Sequence, residues 1–279
     1  MKLLTLNTHS YGEDDQDQKL AFIAQSIVEW DIDVVGLQEV NQKIIGHRVD
    51  VKNIVNFVPM DGQVNVKEDN FAMRLVALLA ELGKTYYWAW AMTHIAHDTM
   101  QEGVAILSKY PIDSVTSYNV SKSHNWYDYK TRRILTAKIT KPNGESFMAV
   151  SGHFSWWHGK NNEEFHYEWQ ETEKYLARTK LPIYFMGDFN NPAGTDGYDY
   201  MVSTAIPITD SYMIAEETIG GPTVLKEIGG WTGLKEKIRI DYIFVPKGVA
   251  VQKSEVVFDG ERQQAVSDHS GVLDRKSVV

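Results

Sequence analysis

Apolar positions along the chain follow two different periods, which predict a mixture of strands and helices. Residues 2–7 form a short apolar run typical of a buried strand, and the segment DIDVVGLQEV, residues 31–40, contains another. Between them, the segment DQDQKLAFIAQSIVEW carries apolar residues at helical spacing, namely Leu20, Ile23, Ala24, Ile27 and Val28. The chain is therefore expected to begin as strand, helix and strand.

A polar stretch from Gln42 to Asn70 interrupts this pattern and shows little periodicity. Connections longer than about 12–15 residues are uncommon in compact domains unless they are functional or mobile. We interpret residues 42–70 as an insert that forms a rim or lid. The next segment, NFAMRLVALLAELG, predicts an amphipathic helix with Asn70 as its N-cap and Gly83 as its stop.

The rest of the chain is dominated by predicted strands. GVAILS, RRILTAKIT and SFMAVSGHFS are the first three, with the turn KPNGE before the third; a helix, NEEFHYEWQETEKYLART, follows. The strands LPIYFMGDF, KIRIDYIFV, AVQKSEVVF and SDHSGVL complete the pattern. Because no repeat, low-complexity tract or linker interrupts it, we expect one layered α/β domain over residues 1–279.

Composition and charge narrow the class of protein. With 43% hydrophobic residues among 279, the chain can bury a sizeable core, and with no cysteine it has neither disulfides nor thiolate chemistry. The net charge of −9 and the lack of a Lys/Arg cluster make nucleic acid an unlikely partner, whereas a small anion stays possible beside a bound cation. No apolar run approaches the 18 or so residues that span a bilayer, and the N-terminus is too short for a secretory signal. We expect no membrane partner and a cytoplasmic location.

The segment GDFN, residues 187–190, ends an apolar strand on polar groups. Residues two apart on a strand share a face, so Asp188 and Asn190 should project together. Taken alone, each such residue is more often a turn former or a solvated group than a ligand. The polar residues at predicted strand ends are nonetheless numerous: Asn7, Glu39, Glu102, His153, Asp188, Asn190, Asp241, Asp268 and His269. Their number indicates a functional site.

The types of these residues suggest metal-assisted chemistry. Asn7, Glu39 and Asp268 offer hard oxygen ligands of the kind that suits Mg²⁺ or Mn²⁺. The histidines lack the HExxH spacing of zinc proteases and can instead donate to phosphate oxygens or move a proton. A carboxylate beside each imidazole would favour the protonated form. Asp188 could then orient or deprotonate a water.

The ordered motifs LNTHS, LQEV, EGVAILSKYPI, SGHFS, GDFN, RIDYIFV and SDHSGV resemble the endonuclease/exonuclease/phosphatase superfamily. The resemblance implies a four-layered α/β sandwich, deoxyribonuclease-like, with two packed and mostly antiparallel sheets flanked by helices. It makes Glu39 the main Mg²⁺ ligand, with Asn7 and Asp268 close to the metal. It also implies that Asp188 handles the attacking water and that Asn190 holds the phosphate.

The same resemblance assigns both histidines to the scissile phosphate. Glu102 would support His153, and Asp241 would support His269. The implied reaction is hydrolysis of a phosphoester by in-line attack of water, with the cation and the histidines stabilising charge on the phosphoryl oxygens.

Aromatic residues near these motifs favour a sugar phosphate as substrate. We assign substrate contacts to Trp126, Trp156, Trp157, Trp231 and Arg133. Trp faces suit sugar rings and bases alike, and the insert with the segments WAWAMTHI, HFSWWHG and GGWTG resembles the bacterial maltose 6'-phosphate phosphatases. A phosphodiesterase of the same superfamily, either nuclease or sphingomyelinase-like, is the alternative. The oligomeric state, the number of cations and any lid motion are left open by the sequence.

Overall fold

The computed structural model describes residues 1–161 and 163–276. Its strands, in chain order, are β1 (Lys2–Asn7), β2 (Val34–Gln38), β3 (Gln42–Lys43), β4 (Tyr87–Ala96), β5 (Met100–Ser108), β6 (Ile112–Asn119), β7 (Arg133–Thr140), β8 (Ser146–His153), β9 (Ile183–Asp188), β10 (Ile208–Asp210), β11 (Ala215–Ile219), β12 (Asp241–Pro246), β13 (Val251–Val257) and β14 (Gly271–Lys276). Its helices are α1 (Gln16–Glu29), α2 (Phe71–Glu81), α3 (Phe165–Leu176), α4 (Asp196–Val202) and α5 (Ser211–Ile214).

The strands form two sheets of mixed direction. In the first sheet the order is β11-β13-β14-β1-β2-β5-β3, with β4 also paired to β5; in the second it is β10-β12-β9-β8-β7-β6. The pairs β1–β2, β11–β13 and β8–β9 are parallel, and the other pairs are antiparallel. The prediction of two mostly antiparallel sheets is confirmed.

Alternation along each strand builds the layers. Leu3 faces the second sheet, where it joins a buried cluster with Met186 and Ile243, whereas its neighbour Leu4 joins a different cluster with residues of α1 and α2. On the far side of the second sheet, Trp169 of α3 packs into a third cluster. Since successive strand residues point to opposite faces, each sheet is buried on both sides. The result is the predicted four-layered sandwich of helices, sheet, sheet and helices.

Local signals account for the start of α2. Asn70 accepts a hydrogen bond from the backbone N–H of Met73 at 3.1 Å, as its predicted role of N-cap requires. Gly83 follows the helix with a φ of 77°, a left-handed conformation that favours glycine. Among the described residues, no helix combines the length and apolar character needed to cross a bilayer.

Several elements differ from the prediction, which did not assign β3, β4, β6, β10, β11, α4 or α5. Strand β4, which contains Trp88 and Trp90, carries a continuous apolar run that periodicity left unassigned, and both indoles are fully buried. The predicted helix around α3 started at Asn162, a position outside the described residues; α3 itself begins at Phe165.

The insert at 42–70 is packed against the protein. Ile54, Phe57 and Val66 are buried in the cluster that contains α1 and α2, and the Phe57 ring lies 4.6 Å from that of Trp88. No residue of this segment lines the cavity described below. The scattered apolar residues of the insert therefore extend the core, and a rim or lid role for the segment stays a prediction.

Candidate active site

The register of the two sheets brings the polar strand ends to one place. In the second sheet, Asp188 at the end of β9 pairs with His153 of β8 on one side and with Asp241 of β12 on the other. In the first sheet, Asn7 at the end of β1 pairs with Gln38 of β2, which precedes Glu39. Because the two sheets pack face to face, these ends open into the same space.

Asp188 lies at the centre of the group. Its Oδ2 accepts a hydrogen bond from Asn7 Nδ2 at 3.0 Å and lies 3.5 Å from His153 Nε2, while its Oδ1 accepts from the backbone N–H of Asn190 at 3.0 Å. Burial, reinforced by the charge of Asp241, raises the pKa of Asp188 to about 7. A carboxylate with a pKa near neutrality is suited to accept a proton from water.

His269 and Asp241 form a buried charged pair. His269 Nδ1 lies 2.9 Å from Asp241 Oδ2, and His269 Nε2 lies 3.8 Å from Asp188 Oδ2. Burial lowers the pKa of His269, but the charges of Asp241 and Asp188 outweigh that effect and raise it well above its usual value. His269 therefore carries a proton at neutral pH, and Asp241 fixes its orientation.

His153 behaves differently from the expectation that a carboxylate would keep it charged. Glu102 Oε1 lies 3.8 Å from His153 Nδ1, too far for a hydrogen bond. Burial and the charge of Glu39 raise the pKa of Glu102 to about 8, and burial together with the charge of Arg132 lowers the pKa of His153 well below its usual value. The expectation of a charged His153 is therefore not supported, because burial and the charge of Arg132 outweigh the attraction of Asp188 Oδ2 at 3.5 Å in setting the pKa of His153.

Asn190 is held in one orientation. Its φ of 51° is left-handed, and its Oδ1 accepts a hydrogen bond from Trp231 Nε1 at 3.0 Å. Its Nδ2 donates to the carbonyl of Phe154 at 2.9 Å and lies 3.3 Å from His153 Nε2. Trp231 does not line the cavity. The predicted substrate contact is instead a contact with Asn190, which orients its amide.

The residues expected to bind a metal fit a hard divalent cation. Asn7 Nδ2 donates to Glu39 Oε1 at 2.9 Å, and Asp268 lies at the same end of the cavity, with its Oδ1 3.7 Å from His9 Nδ1. Glu39 and Asp268 offer carboxylate oxygens, and burial together with the charge of Glu39 raises the pKa of Glu102, so negative charge accumulates at this end. Glu39, Asn7 and Asp268 are the residues that would hold Mg²⁺ or Mn²⁺.

A second acidic group adjoins this one. His9 Nδ1 lies 2.8 Å from Glu13 Oε1, and these two side chains with Asp268 could also accommodate an ion. The buried trio Asp188, Asp241 and His269 has similar geometry. In that trio, however, the hydrogen bond between Asp241 and His269 occupies the Nδ1 atom.

These groups line a cavity of about 420 Å³. The predicted residues among its walls are Glu39, Glu102, His153, Trp156, Asp188, Asn190, Asp268 and His269. Other wall residues include His9, His94, His97, Tyr129, Arg132 and Ile228. His9 follows Asn7 at the two-residue spacing that had linked Asp188 with Asn190, which is the one signal that pointed to it.

Three predicted substrate contacts lie elsewhere. Arg133 donates from Nε to Ser117 Oγ at 2.8 Å and does not line the cavity, whereas Arg132 does. Trp157 packs against Phe165 and Tyr200 on the outer side of the second sheet. The side chain of Trp126 is 43% exposed and does not line the cavity, although its backbone carbonyl accepts from the N–H of Ile95. Of each adjacent pair, only one residue reaches the site.

A four-layered α/β sandwich with paired carboxylates and imidazoles at the sheet ends defines a phosphoesterase architecture. The family model for the endonuclease/exonuclease/phosphatase family matches residues 4–269, and the chain belongs to that family. Members of the family are hydrolases that act on phosphoesters. The predicted family and fold are both confirmed. No curated protein sequence matches the chain.

Solved structures share the fold over the full length of the chain. An endonuclease/exonuclease/phosphatase family protein from Leptotrichia buccalis is 29% identical with a TM-score of 0.85, and all of both chains is covered. A mannosyl-6-phosphatase from Bacteroides thetaiotaomicron is 21% identical with a TM-score of 0.70, again with complete coverage of both. The catalytic domain of human Nocturnin is 15% identical with a TM-score of 0.64, covering 100% of this chain and 93% of that one.

Proposed function

We propose that the protein is a divalent-cation-dependent phosphatase that removes phosphate from a sugar phosphate such as maltose 6'-phosphate. The observation that carries the proposal is the arrangement around Asp188, which joins Asn7 of the first sheet to His153 of the second sheet and to His269, two residues before β14 of the first sheet. Sets of titratable groups with displaced pKa values in a cleft are typical of catalytic sites.

Asp188 and His269 divide the acid–base work. Asp188, with its pKa near 7, holds the attacking water and accepts its proton. His269 stays protonated through its pairing with Asp241 and donates to a phosphoryl oxygen as charge develops there. The two groups lie 3.8 Å apart, so both reach one phosphorus centre.

Asn190, His153 and the cation ligands position the phosphoryl group. Asn190 is fixed by Trp231 and presents its amide next to His153. A Mg²⁺ or Mn²⁺ ion bound by Glu39, Asn7 and Asp268 would supply Lewis-acid stabilisation of negative charge on phosphorus. A neutral His153 accepts or donates one hydrogen bond at this position without adding charge.

The shape and chemistry of the cavity favour a small substrate. Its volume falls in the range of roughly 300–1,000 Å³ typical of small-molecule sites. Trp156 and Tyr129 stand in its wall, and aromatic faces of this kind suit sugar rings. The shared fold of the mannosyl-6-phosphatase gives further support for a sugar phosphate.

Product assays with a panel of substrates test the proposal. Inorganic phosphate release is measured from maltose 6'-phosphate and glucose 6-phosphate, each with Mg²⁺ and with EDTA. Plasmid DNA is assayed by nicking and sphingomyelin by phosphocholine release. We expect cation-dependent release of phosphate from a sugar phosphate. Plasmid nicking at low enzyme concentration without sugar-phosphate turnover would identify a nuclease instead.

Two substitutions test the assigned chemistry. Asp188→Ala and His269→Ala should each abolish turnover while the protein stays folded, as followed by circular dichroism and thermal unfolding. Near-wild-type activity in either purified variant would show that the roles are assigned incorrectly.

A further inference from the structure

We propose that Arg132 selects phosphomonoesters over phosphodiesters in this cavity by pairing with the extra negative charge of the monoester. This inference rests on the proposed function and adds the residue that sets its substrate class. Arg132 precedes β7 and was not distinguished from Arg133 by the sequence pattern.

The first observation is that Arg132 is a buried cation without an ion-pair partner. Its side chain is in the cavity wall, and only 4% of the residue is exposed. Within residues 1–161 and 163–276 the guanidinium forms no ion pair, and its Nε makes a long contact of 3.4 Å to Ser155 Oγ. An arginine has five N–H donors, so most of its donor capacity stays available to a ligand. Burying a charge without such compensation is costly.

A structural arginine in the same protein looks different. Arg239 is similarly buried, but its Nη2 lies 2.8 Å from Asp210 Oδ2 and its guanidinium stacks over the rings of Tyr212 and Tyr242 at 4.6 and 4.5 Å. Arg239 is thus fully engaged by its neighbours. Among the residues that the structure describes, Arg132 has no comparable partner, which indicates that its partner arrives with the substrate.

Neighbouring groups keep the Arg132 guanidinium free. Glu168 is the nearby buried carboxylate, yet it accepts from the N–H and the hydroxyl of Ser155 at 2.9 and 2.7 Å. Glu168 thereby orients the Ser155 hydroxyl, and within the described part of the chain it makes no ion pair with the guanidinium. The backbone of Arg132 is itself fixed, since its N–H donates to Ser121 Oγ at 2.8 Å and its carbonyl accepts from Val120.

Arg132 faces the phosphoryl side of the cavity. It shares the cavity wall with His153 and Asn190, and its positive charge helps to lower the pKa of His153. The site thereby has a cation at this wall in addition to the protonated His269 on the other side of Asp188.

The charge of the substrate determines how strongly Arg132 can bind it. A phosphomonoester has a second pKa near 6 and carries close to two negative charges at neutral pH, whereas a diester carries one. The planar guanidinium can bind two phosphoryl oxygens at once. A diester keeps two unesterified oxygens, but they share a single negative charge and therefore attract the guanidinium less strongly. Arg132 should therefore contribute more to monoester cleavage.

A monoester and a diester that share the same leaving group isolate the contribution of Arg132 to monoester cleavage. The rate constant kcat/KM is measured for p-nitrophenyl phosphate and for methyl p-nitrophenyl phosphate, with Mg²⁺, in the wild type and in Arg132→Met. We expect a loss of about 10²-fold for the monoester, the size associated with one removed donor to a phosphoryl-type oxyanion. The diester should change by less than about threefold, so the ratio of the two constants collapses.

Control variants separate specificity from stability. Arg133→Met alters the adjacent arginine, whose side chain lies outside the cavity, and should leave both constants within about threefold of wild type. Arg132→Lys keeps the charge but loses the two-oxygen fork, and should lose about tenfold on the monoester only. If Arg132→Met does not fold, the lysine variant decides the question by the same ratio.

The outcomes of the two proposals are distinct. Equal losses on both esters, or an unchanged monoester rate, would overturn the role of Arg132 while leaving the phosphatase intact. A wild-type protein that cleaves neither p-nitrophenyl phosphate nor a sugar phosphate would overturn the proposed function and this inference with it.

Discussion

Replacing Asp241 by asparagine removes one charge from the site with almost no change in shape. The carboxylate lies 2.9 Å from His269 Nδ1, and both residues are buried. At an effective dielectric of about 20, two unit charges at that distance attract by roughly 6 kcal/mol. Asp188, at 3.8 Å from the other ring nitrogen, still supplies about 4 kcal/mol on the same basis. The protonated form of His269 therefore loses part, but not all, of its electrostatic stabilisation.

The expected effect is on turnover. With part of the stabilisation lost and the tautomer of His269 no longer fixed, kcat should fall by about 10²- to 10⁴-fold, equivalent to roughly 3–5 kcal/mol of barrier. KM should change by less than about threefold, because the cavity wall is unaltered. Phosphate release from a sugar phosphate under saturating Mg²⁺ is the assay.

A matched control uses another buried aspartate. Asp274 on β14 is fully buried and does not line the cavity, so Asp274→Asn makes the same chemical change outside the site. Its kcat should stay within about threefold of wild type. If Asp241→Asn retained a wild-type kcat, or if both variants lost activity equally, the role given to the Asp241–His269 pair would be refuted.

Three further outcomes follow from the same structure. Trp231→Phe removes the hydrogen bond to Asn190 Oδ1 and should lower kcat about tenfold, in line with a bond worth about 1 kcal/mol, with the KM for the same sugar phosphate unchanged; a wild-type kcat would contradict the orienting role. Glu39→Ala should raise the Mg²⁺ concentration that gives half-maximal activity at least tenfold, and calorimetric titration with Mg²⁺ showing unchanged affinity would exclude Glu39 as a ligand. Burial raises the pKa of Asp274 to about 7 from an ordinary value of 3.8, so the folded wild type binds the proton more tightly and loses stability as pH rises from about 4 to 7. In Asp274→Asn this loss should be absent. Relative to wild type, the free energy of unfolding of the variant, measured in urea, should therefore rise by up to about 4 kcal/mol between pH 4 and pH 8. Equal pH profiles for the two proteins would contradict this reasoning.

Strand ends were the most informative part of the sequence. The residues at these ends, such as Asn7, Asp188 and His269, were identified from polar groups that interrupt apolar runs, and the structure places them together around one cavity. An apolar run fixes where a strand stops, and the polar group that follows is held by a rigid element. This is why local sequence was sufficient to select them.

The direction of neighbouring side chains was harder to predict. Arg132 and Arg133 are adjacent residues of the same type, as are Trp156 and Trp157. The sequence nearby gives no local signal for which residue of each pair faces the site. In both pairs the first residue lines the cavity and the second does not. Arg132, Trp156 and Trp157 lie in the loops that flank β7 and β8, where side-chain direction follows no strand alternation.

The sequence by itself determined the order of the elements that it predicted and the types of residue available for phosphoester chemistry, because each depends on local periodicity or on side-chain chemistry; the four layers were implied by the family resemblance. Only the tertiary structure decided that residues 42–70 pack onto the core, that Trp231 orients Asn190, and that His153 is neutral while His269 is charged. Those properties depend on burial and on distances between residues far apart in the chain. The pKa of an imidazole is set by the carboxylates that folding brings within a few ångströms of it.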